Sequence, residues 1–219
     1  MNRELDTLRK VQLFAGIDAD NIVSMLGCLS ARRAEYKKNE TIIMAGDRLR
    51  NVGIILEGQV QIQKEDHLGN RTIMSSLSKS ELYGEAICCA GLSESPVSVV
   101  AAEDCRVLLI DFERILNVCS NTCVFHSKLI ENMMFVLARK NLFLQNRMDI
   151  VTVRSVRARV LMYLESFSEE QGSFITIPLN REQMAEYLCV DRSALSHELI
   201  RMKKEGILNY YRNTFELLG

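Results

Sequence analysis

The sequence has few of the residues that interrupt regular structure: 219 residues include 2 prolines and 11 glycines. Such low numbers exclude a collagen-like chain and a proline-rich low-complexity chain. The sequence also lacks an apolar run approaching the roughly 18 residues that a membrane-spanning helix needs. Its first ten residues alternate charged residues with leucine and offer no apolar signal-peptide core. We therefore expect a soluble, cytoplasmic protein without a membrane partner.

The sequence also lacks an excess of charge of either sign. Its 27 Lys and Arg residues nearly balance 28 Asp and Glu residues, and the net charge is −1. With 47% hydrophobic residues, the composition excludes wholesale disorder. At roughly 100–200 residues per domain, the length suits one large domain or two modest ones. If the protein binds DNA, the positive charge that attracts the phosphates must be local.

The cysteines argue against a disulfide framework, because their number, 7, is odd and no secretory signal precedes them. Two pairs stand out: Cys88 with Cys89, and Cys119 with Cys123. Either pair could bind a metal or oxidise, although buried cysteines more often act as small apolar side chains. Neither pair makes a zinc set with His67 or His126. The sequence therefore predicts no metal site, names no cofactor, and leaves the role of the two pairs open.

Between residues 34 and 111, short apolar segments alternate with turn residues. The segments are 41–44, 52–56, 60–62, 72–74, 97–101 and 107–110. Many short strands at even spacing predict a sandwich or roll of antiparallel strands. Leu68-Gly69-Asn70 suits a hairpin turn within it. Before this region, the first thirty residues are typical of short helices, with Asp18 or Asp20 as an N-cap.

Residues 123–151 contain neither glycine nor proline and predict a long helix. Seven positions follow each other at alternating spacings of four and three: Ile130, Met134, Leu137, Asn141, Leu144, Met148 and Val151. This heptad pattern predicts a dimer seam, in which Asn141 fixes register and partner number. Because the helix is also apolar beside the seam, one side of it is expected to pack on its own domain. These further apolar residues are Leu129, Met133, Phe135, Val136, Leu142 and Phe143. The alternative is one buried helix in a monomer.

Residues 180–206 predict a helix-turn-helix. Asn180 suits an N-cap, and Asp191 can cap a second helix after a short break. The apolar positions of the two helices are Met184, Ala185 and Leu188, followed by Leu195, Leu199, Ile200 and Met202. Gly206 stands where a C-terminal cap belongs. Two helices joined by a short turn form the DNA-binding motif, and residues 207–211 and 214–218 are expected to follow as a two-stranded wing.

With these parts in this order, the chain resembles the CRP/FNR family of transcription regulators over nearly its whole length. The motifs that carry the resemblance are Leu82-Tyr83-Gly84-Glu85, the long glycine-free helix, Asn180-Arg181-Glu182-Gln183-Met184-Ala185 and Asp191-Arg192-Ser193-Ala194-Leu195-Ser196. The resemblance implies an α+β fold. Its parts would be an antiparallel β-roll effector domain of the cyclic-nucleotide-binding type (residues 1–122), a dimerisation helix (123–151) and a winged helix-turn-helix domain (152–219).

The same resemblance implies a sequence-specific DNA-binding regulator that works as a homodimer on a palindromic operator. Its partners would be double-stranded DNA, a second copy of the chain, a small-molecule or redox effector, and RNA polymerase. In the family, the second helix of the motif enters the major groove, where short polar and cationic side chains reach base edges and phosphates. The predicted DNA-binding residues are Arg181, Arg192, Ser193, Ser196, His197 and Arg201. Arg192 suits a bidentate contact to guanine, and Arg181 suits the DNA backbone.

Two positions depart from the family members that read the best-known half-sites. Those members have Glu and then Arg where this sequence has Ser193 and His197, so we expect neither a TGTGA-type nor a TTGAT-type operator.

A third departure concerns the effector. Cyclic-AMP receptors of the family hold ribose and cyclic phosphate with a Gly-Glu pair and an Arg-Ser pair. Gly84-Glu85 matches the first pair, whereas Ser95-Pro96 removes the cation of the second.

We therefore expect an effector other than cyclic AMP. The candidate effector contacts are Gly84, Glu85, Ser95, Lys140 and Asn141. An iron–sulfur cluster of the oxygen-sensing design is not expected, because its clustered N-terminal cysteines are reduced here to Cys28.

Two other classes of protein compete with a DNA-binding regulator. A regulatory module that controls a partner protein would not need the polar face of the second helix. An enzyme would need a catalytic arrangement, but the sequence contains no phosphate-binding loop, no HExxH motif and no Ser-His-Asp set in a recognisable context. The sequence accordingly predicts no enzyme and no catalytic residue.

Overall fold

The structure of the protein is a computed structural model that describes residues 2–66, 68–69, 71–117 and 124–218. The chain forms two compact units, Met1–Ala138 and Arg139–Gly219. The helix predicted over 123–151 is present as Val124–Thr152, here α5, and belongs to both units. His67 and the pair Cys119 and Cys123 lie outside the described residues.

The first unit starts with helices and continues as strands. Its helices are α1 (Asn2–Leu8), a 3-10 turn (Gln12–Phe14), α2 (Ala19–Cys28), α3 (Glu85–Cys89) and α4 (Phe112–Leu116). Its strands are β1 (Arg32–Tyr36), β2 (Thr41–Ile43), β3 (Asn51–Glu57), β4 (Val60–Glu65), β5 (Arg71–Leu77), β6 (Leu82–Tyr83), β7 (Ser98–Ala101) and β8 (Cys105–Asp111). Asp18 caps α2, as predicted: its carboxylate accepts a hydrogen bond from the Asn21 N–H at 3.0 Å.

The strands pair antiparallel in two sheets, which confirms the predicted roll. One sheet has the order β1-β8-β3-β6 and the other β2-β7-β4-β5. The sequence pattern missed β1, whose residues are mostly polar and exposed, and β6, which spans only Leu82 and Tyr83. Gly53 on β3 has no room for a side chain, because a Cβ there would lie 1.9 Å from Cζ of Tyr83.

The first half of α5 packs on the first unit. Leu129 and Met133 belong to its core, and Val136 is also buried, as predicted. The Asn132 amide fixes the helix further by donating to the carbonyls of Leu13 and Ala15, both at 2.9 Å.

Phe135, Leu142 and Phe143 are not buried, although the Phe143 ring contacts Tyr187 of its own unit at a centroid distance of 6.0 Å. They are 50%, 58% and 56% exposed. A helix can bury only part of its circumference against one core, and these three residues lie on other sides of α5.

The second unit holds the remaining elements. They are α6 (Val156–Gln171), β9 (Phe174–Thr176), α7 (Arg181–Tyr187), α8 (Arg192–Lys204), β10 (Leu208–Tyr211) and β11 (Thr214–Leu217). The strands form one antiparallel sheet in the order β10-β11-β9, so the wing gains a third strand that the sequence did not predict as its partner.

The helix-turn-helix core is close to the predicted one. Met184, Ala185, Leu188, Leu195, Leu199 and Met202 are buried. Ile200 is 46% exposed, so its prediction as a core residue is wrong. It follows Leu199 by one position, and one helical step of about 100° turns its side chain away from the core.

Candidate nucleic-acid interface

Side-chain caps fix where each helix of the motif begins. The Asn180 amide oxygen accepts from the N–H groups of Glu182 and Gln183, both at 3.0 Å, while the Gln183 side chain accepts from the Asn180 N–H at 2.9 Å. These reciprocal bonds form a capping box. Asp191 caps α8 through the N–H of Ser193 at 2.8 Å. Hydrogen bonds from the Ser193 hydroxyl and from the backbone of Ser193 and Ala194 lower the pKa of Asp191.

Two arginines hold the C-terminal end of α7, and we call Arg147 and Arg159 the carbonyl clamp. Arg147 donates to the carbonyls of Tyr187 (3.2 Å) and Glu186 (3.4 Å), and its guanidinium lies 5.2 Å from the Tyr187 ring centroid. Arg159 donates to the carbonyls of Leu188 (2.9 Å) and Cys189 (3.0 Å). The last carbonyls of a helix have no partner within it and favour cations, so the clamp stabilises the turn of the motif.

The predicted DNA-binding residues of α8 lie mostly on its exposed side. Arg192, Ser193, His197 and Arg201 are exposed, and Ser196 is half-buried with its hydroxyl donating to the Arg192 carbonyl at 2.9 Å. The Ser193 and Ser196 hydroxyls therefore have acceptors within the protein, and their remaining capacity toward DNA is to accept. Their roles in DNA binding stay predictions, as do those of Arg192 and His197.

Arg201 takes part in an ion-pair network that connects α8 to α6. It donates to Glu205 at 2.9 Å, and Arg157 of α6 donates to both Glu205 and Glu198 at 2.6 Å. Hydrogen bonds from Arg157 and Arg201 lower the pKa of Glu205. These pairs neutralise Glu198 of α8 and Glu205 just past its C-terminus, so Arg192, Lys203 and Lys204 dominate the local field of the helix. Arg201 uses its Nε–H on Glu205, so a phosphate or a base would be contacted through its other N–H groups or after it leaves Glu205.

Arg181 packs against the wing. Its guanidinium carbon lies 5.2 Å from the Phe215 ring centroid and 5.3 Å from that of Tyr210, and it donates to the Arg212 carbonyl at 3.1 Å. Burial lowers the pKa of Arg181. The residue therefore ties α7 to the wing, and its predicted contact with the DNA backbone stays a prediction.

The turn of the wing carries a cation that sequence reasoning did not assign to DNA. Arg212 is exposed at the turn between β10 and β11, with its guanidinium carbon 5.5 Å from the Tyr211 ring centroid. Tyr211 is itself 73% exposed. An arginine in the turn of a predicted wing was the available signal, because phosphate contacts need exposed cations.

The candidate effector residues lie in both units. Gly84 caps α3 with a φ of +82°, and Glu85 next to it is buried. Ser95 is also buried, and its hydroxyl donates to the Val97 carbonyl at 2.6 Å, within its own turn. Lys140 is half-buried and Asn141 is exposed, both on the part of α5 that belongs to the second unit. Their roles toward an effector stay predictions.

The predicted dimer seam is largely uncovered in the single chain. Met134, Leu144 and Met148 are 67%, 56% and 63% exposed, and Asn141 is exposed as well. Ile130, Leu137 and Val151 are half-buried. A soluble helix seldom leaves this many large apolar side chains in water unless a partner covers them.

Comparison with known proteins identifies the family. The family model of the cyclic nucleotide-binding domain matches residues 33–122, and that of the Crp-like helix-turn-helix domain matches residues 158–218. The chain belongs to the CRP/FNR family of transcription regulators. Regulators of this family bind DNA through the helix-turn-helix and act as dimers, and the family consists of regulators, not enzymes.

Solved structures share the fold at low sequence identity. CprK complexed with OCPA has a TM-score of 0.67 and 17% identity, covering 90% of this chain and 91% of that one. The c-di-GMP-responsive global regulator CLP of Xanthomonas campestris has a TM-score of 0.63 and 17% identity (92% and 100% covered). The catabolite activator protein of Thermus thermophilus has a TM-score of 0.54 and 22% identity, covering 94% of this chain and 93% of that one. No curated protein is significantly similar to this chain in sequence. Among the described residues, no helix combines the length and hydropathy needed to cross a bilayer.

Proposed function

We propose that this protein is a cytoplasmic transcription regulator that binds a palindromic operator as a homodimer and responds to an effector bound in its β-roll. The observation that carries the proposal is α8. One side of this helix is buried in the motif core, while the other presents Arg192, Ser193 and His197 to solvent directly after a capped N-terminus. A recognition helix needs this division, because its N-terminal residues reach base edges.

On the DNA side, we assign different roles to the cationic residues. Arg192 lies in the first turn of α8 and suits a bidentate contact to guanine. Arg212 in the wing and Lys204 at the end of α8 suit phosphates, which position the protein without reading sequence. Arg201 joins them through the N–H groups that do not bind Glu205, and Arg181 acts mainly by holding the wing in place.

The homodimer is supported by the uncovered apolar residues of α5. Met134, Leu144 and Met148 repeat at seam spacing and are exposed in the single chain. A second copy of α5 would cover them and leave Asn141 to set the register. We accordingly assign residues 1–122 to the effector domain, 123–151 to the dimerisation helix and 152–219 to the DNA-binding domain. RNA polymerase is the protein partner that such a regulator would contact.

The effector is proposed to be something other than cyclic AMP. A cyclic phosphate needs a cation, and Ser95-Pro96 supplies none. The Ser95 hydroxyl is also committed to the Val97 carbonyl. The structural relatives include one regulator described as responsive to c-di-GMP and another complexed with OCPA. Since proteins of this fold differ in the ligands they are associated with, the fold leaves the effector open.

The experiment that tests the proposal is a selection of random DNA duplexes by the purified full-length protein. We expect an enriched inverted repeat with half-sites about one helical turn apart. Arg192→Ala should lose about 1–3 kcal/mol of discrimination at one base pair of each half-site, whereas Lys204→Ala, the matched control, should weaken all sequences evenly. Absence of any enriched sequence would contradict the proposal and favour a regulatory module that acts on a partner protein.

A further inference from the structure

The exposed side of α8 carries a large apolar side chain, that of Ile200, which is 46% exposed. Among the residues of α8, all of which the structure describes, no other large apolar side chain is exposed. The DNA-binding roles assigned to this helix use its polar and cationic residues and leave Ile200 without one. Single exposed apolar residues are common on protein surfaces, so the position of Ile200 decides whether it has a function.

Ile200 lies in line with residues that are predicted to reach base edges. At about 100° per residue, it stands within about 20° of Ser193 and about 60° of His197 around the helix axis. Met202, which is buried in the motif core, lies about 160° from it. Ile200 therefore extends the row of predicted base contacts by one helical turn, on the side of α8 that faces away from the core.

Two neighbours on the helix surface leave the side chain of Ile200 uncovered. Long basic side chains often lay their methylene stems over nearby apolar surface. Lys203, three positions later, instead has its ammonium nitrogen 5.3 Å from the ring centroid of Tyr210, in the wing. Ser196, four positions earlier, is short, and its hydroxyl donates to the Arg192 carbonyl at 2.9 Å. The apolar surface of Ile200 is thus available to a group outside the protein.

The major groove of DNA offers an apolar partner for such a side chain. Each base pair presents hydrogen-bond donors and acceptors there, and thymine alone among the four bases adds a methyl group, on C5. Apolar side chains distinguish thymine from the other bases by packing against this methyl. An exposed isoleucine in a row of base-reading residues matches this chemistry.

We propose that Ile200 is a specificity-determining residue that reads one thymine in each half-site by packing against its 5-methyl group. This inference rests on the proposed function and adds one base of the operator to it. Seven residues of helix rise about 10.5 Å, which is close to three base-pair steps of 3.4 Å. The thymine should therefore lie about three base pairs from the base that Ser193 faces.

The first test removes the thymine methyl and leaves the protein unchanged. The duplex selected by the full-length protein is resynthesised with deoxyuridine in place of thymidine, at one symmetric pair of positions at a time, and titrated by fluorescence anisotropy. Burial of one methyl contributes about a factor of four, so two half-sites should give about a 15-fold loss of affinity at one pair of positions. At that pair, 5-methylcytosine should bind more tightly than cytosine, because it restores the methyl.

The second test makes the matching change in the protein. Ile200→Ala should bind the thymidine and deoxyuridine duplexes with nearly equal affinity and keep the guanine preference assigned to Arg192. Ile200→Val, which keeps a β-branched side chain, should retain most of the discrimination. Val23→Ala, at a 54% exposed apolar residue of α2 in the first unit, is the control and should discriminate like the wild type. Thermal unfolding checks that each variant folds, and the deoxyuridine test does not depend on any variant.

Three results would overturn the proposal: a selected half-site without thymine, equal affinity of the wild type for thymidine and deoxyuridine at every position, or an unchanged preference for thymidine in Ile200→Ala. In each of these cases, the enriched inverted repeat leaves the proposed function standing. Failure to enrich any sequence would instead contradict the proposed function and the role of Ile200 together.

Discussion

At the residue scale, the arginines of the second unit divide into those that face solvent and those that hold the motif together. Arg192 and Arg212 are exposed, whereas Arg157, Arg159 and Arg181 each bind groups of the protein. A basic residue in a helix-turn-helix is therefore insufficient evidence of a DNA contact. The partner of each guanidinium decides which role it has.

Arg181→Ala tests this division. Each cation–π contact with Tyr210 and Phe215 contributes about 0.5–1 kcal/mol, so the variant should lower the free energy of unfolding by roughly 1–2 kcal/mol. Chemical unfolding measures the loss, and Arg192→Ala, at an exposed position of α8, is the control that should stay near the wild type. If the Arg181→Ala variant is as stable as the wild type, the contacts of Arg181 with the wing do not stabilise the fold, and its assigned structural role is wrong.

The sequence predicted the residues of the site that act locally. Asn180 and Asp191 cap helices through N–H groups two or three positions away, and Gly206 adopts a φ of +71° just beyond α8. Such positions follow from local rules. The carbonyl clamp was missed because Arg147 contacts Tyr187, 40 positions away, and Arg159 contacts Leu188, 29 positions away. Only the fold brings these residues together.

At the scale of the element, α8 depends on carboxylates at both ends. The pKa of Asp191 at its N-terminus and that of Glu205 just past its C-terminus are both lowered in the folded state. A carboxyl group with a lowered pKa stabilises the fold above its ordinary pKa, which is 3.8 for Asp and 4.5 for Glu. That stabilisation is lost as the pH falls through and below these values, because the unfolded chain binds more protons.

We therefore expect acid to weaken the second unit through these caps. The melting temperature of the wild type should fall between about pH 5 and pH 3 more steeply than that of Asp191→Asn, since Asn also caps helices but does not titrate. Thermal unfolding followed by circular dichroism at each pH provides the comparison. Parallel curves for the two proteins would mean that Asp191 contributes nothing to the acid sensitivity.

Helices and strands were predictable where apolar residues recur at a regular spacing, and less predictable elsewhere. The glycine-free residues 123–151 predicted α5, and the short apolar segments between residues 34 and 111 predicted most strands of the roll. β1 was missed because its side chains are largely solvated, and the pairing of β9 with the wing was not predicted. Pairing depends on tertiary contact between strands far apart in sequence, which periodicity does not report.

For the whole molecule, the proposed mode of DNA binding requires that two chains act together. The exposed side chains of Met134, Leu144 and Met148 explain why α5 would associate with a second copy, and the polar side of α8 explains why each copy would enter a major groove. Neither feature is sufficient alone. A monomer with the same α8 would read one half-site, and a dimer without that helix would have no sequence to read.

The most direct test is the stoichiometry of the complex with the selected duplex, measured by sedimentation velocity. We predict two chains per duplex carrying the inverted repeat. We also predict that Leu144→Glu, which puts a charge into the seam, gives a free monomer that binds the repeat at least tenfold more weakly. Asp149→Asn, at an exposed polar position of the same helix, should behave like the wild type. A single wild-type chain per duplex, bound as tightly to one half-site as to the full repeat, would contradict the account.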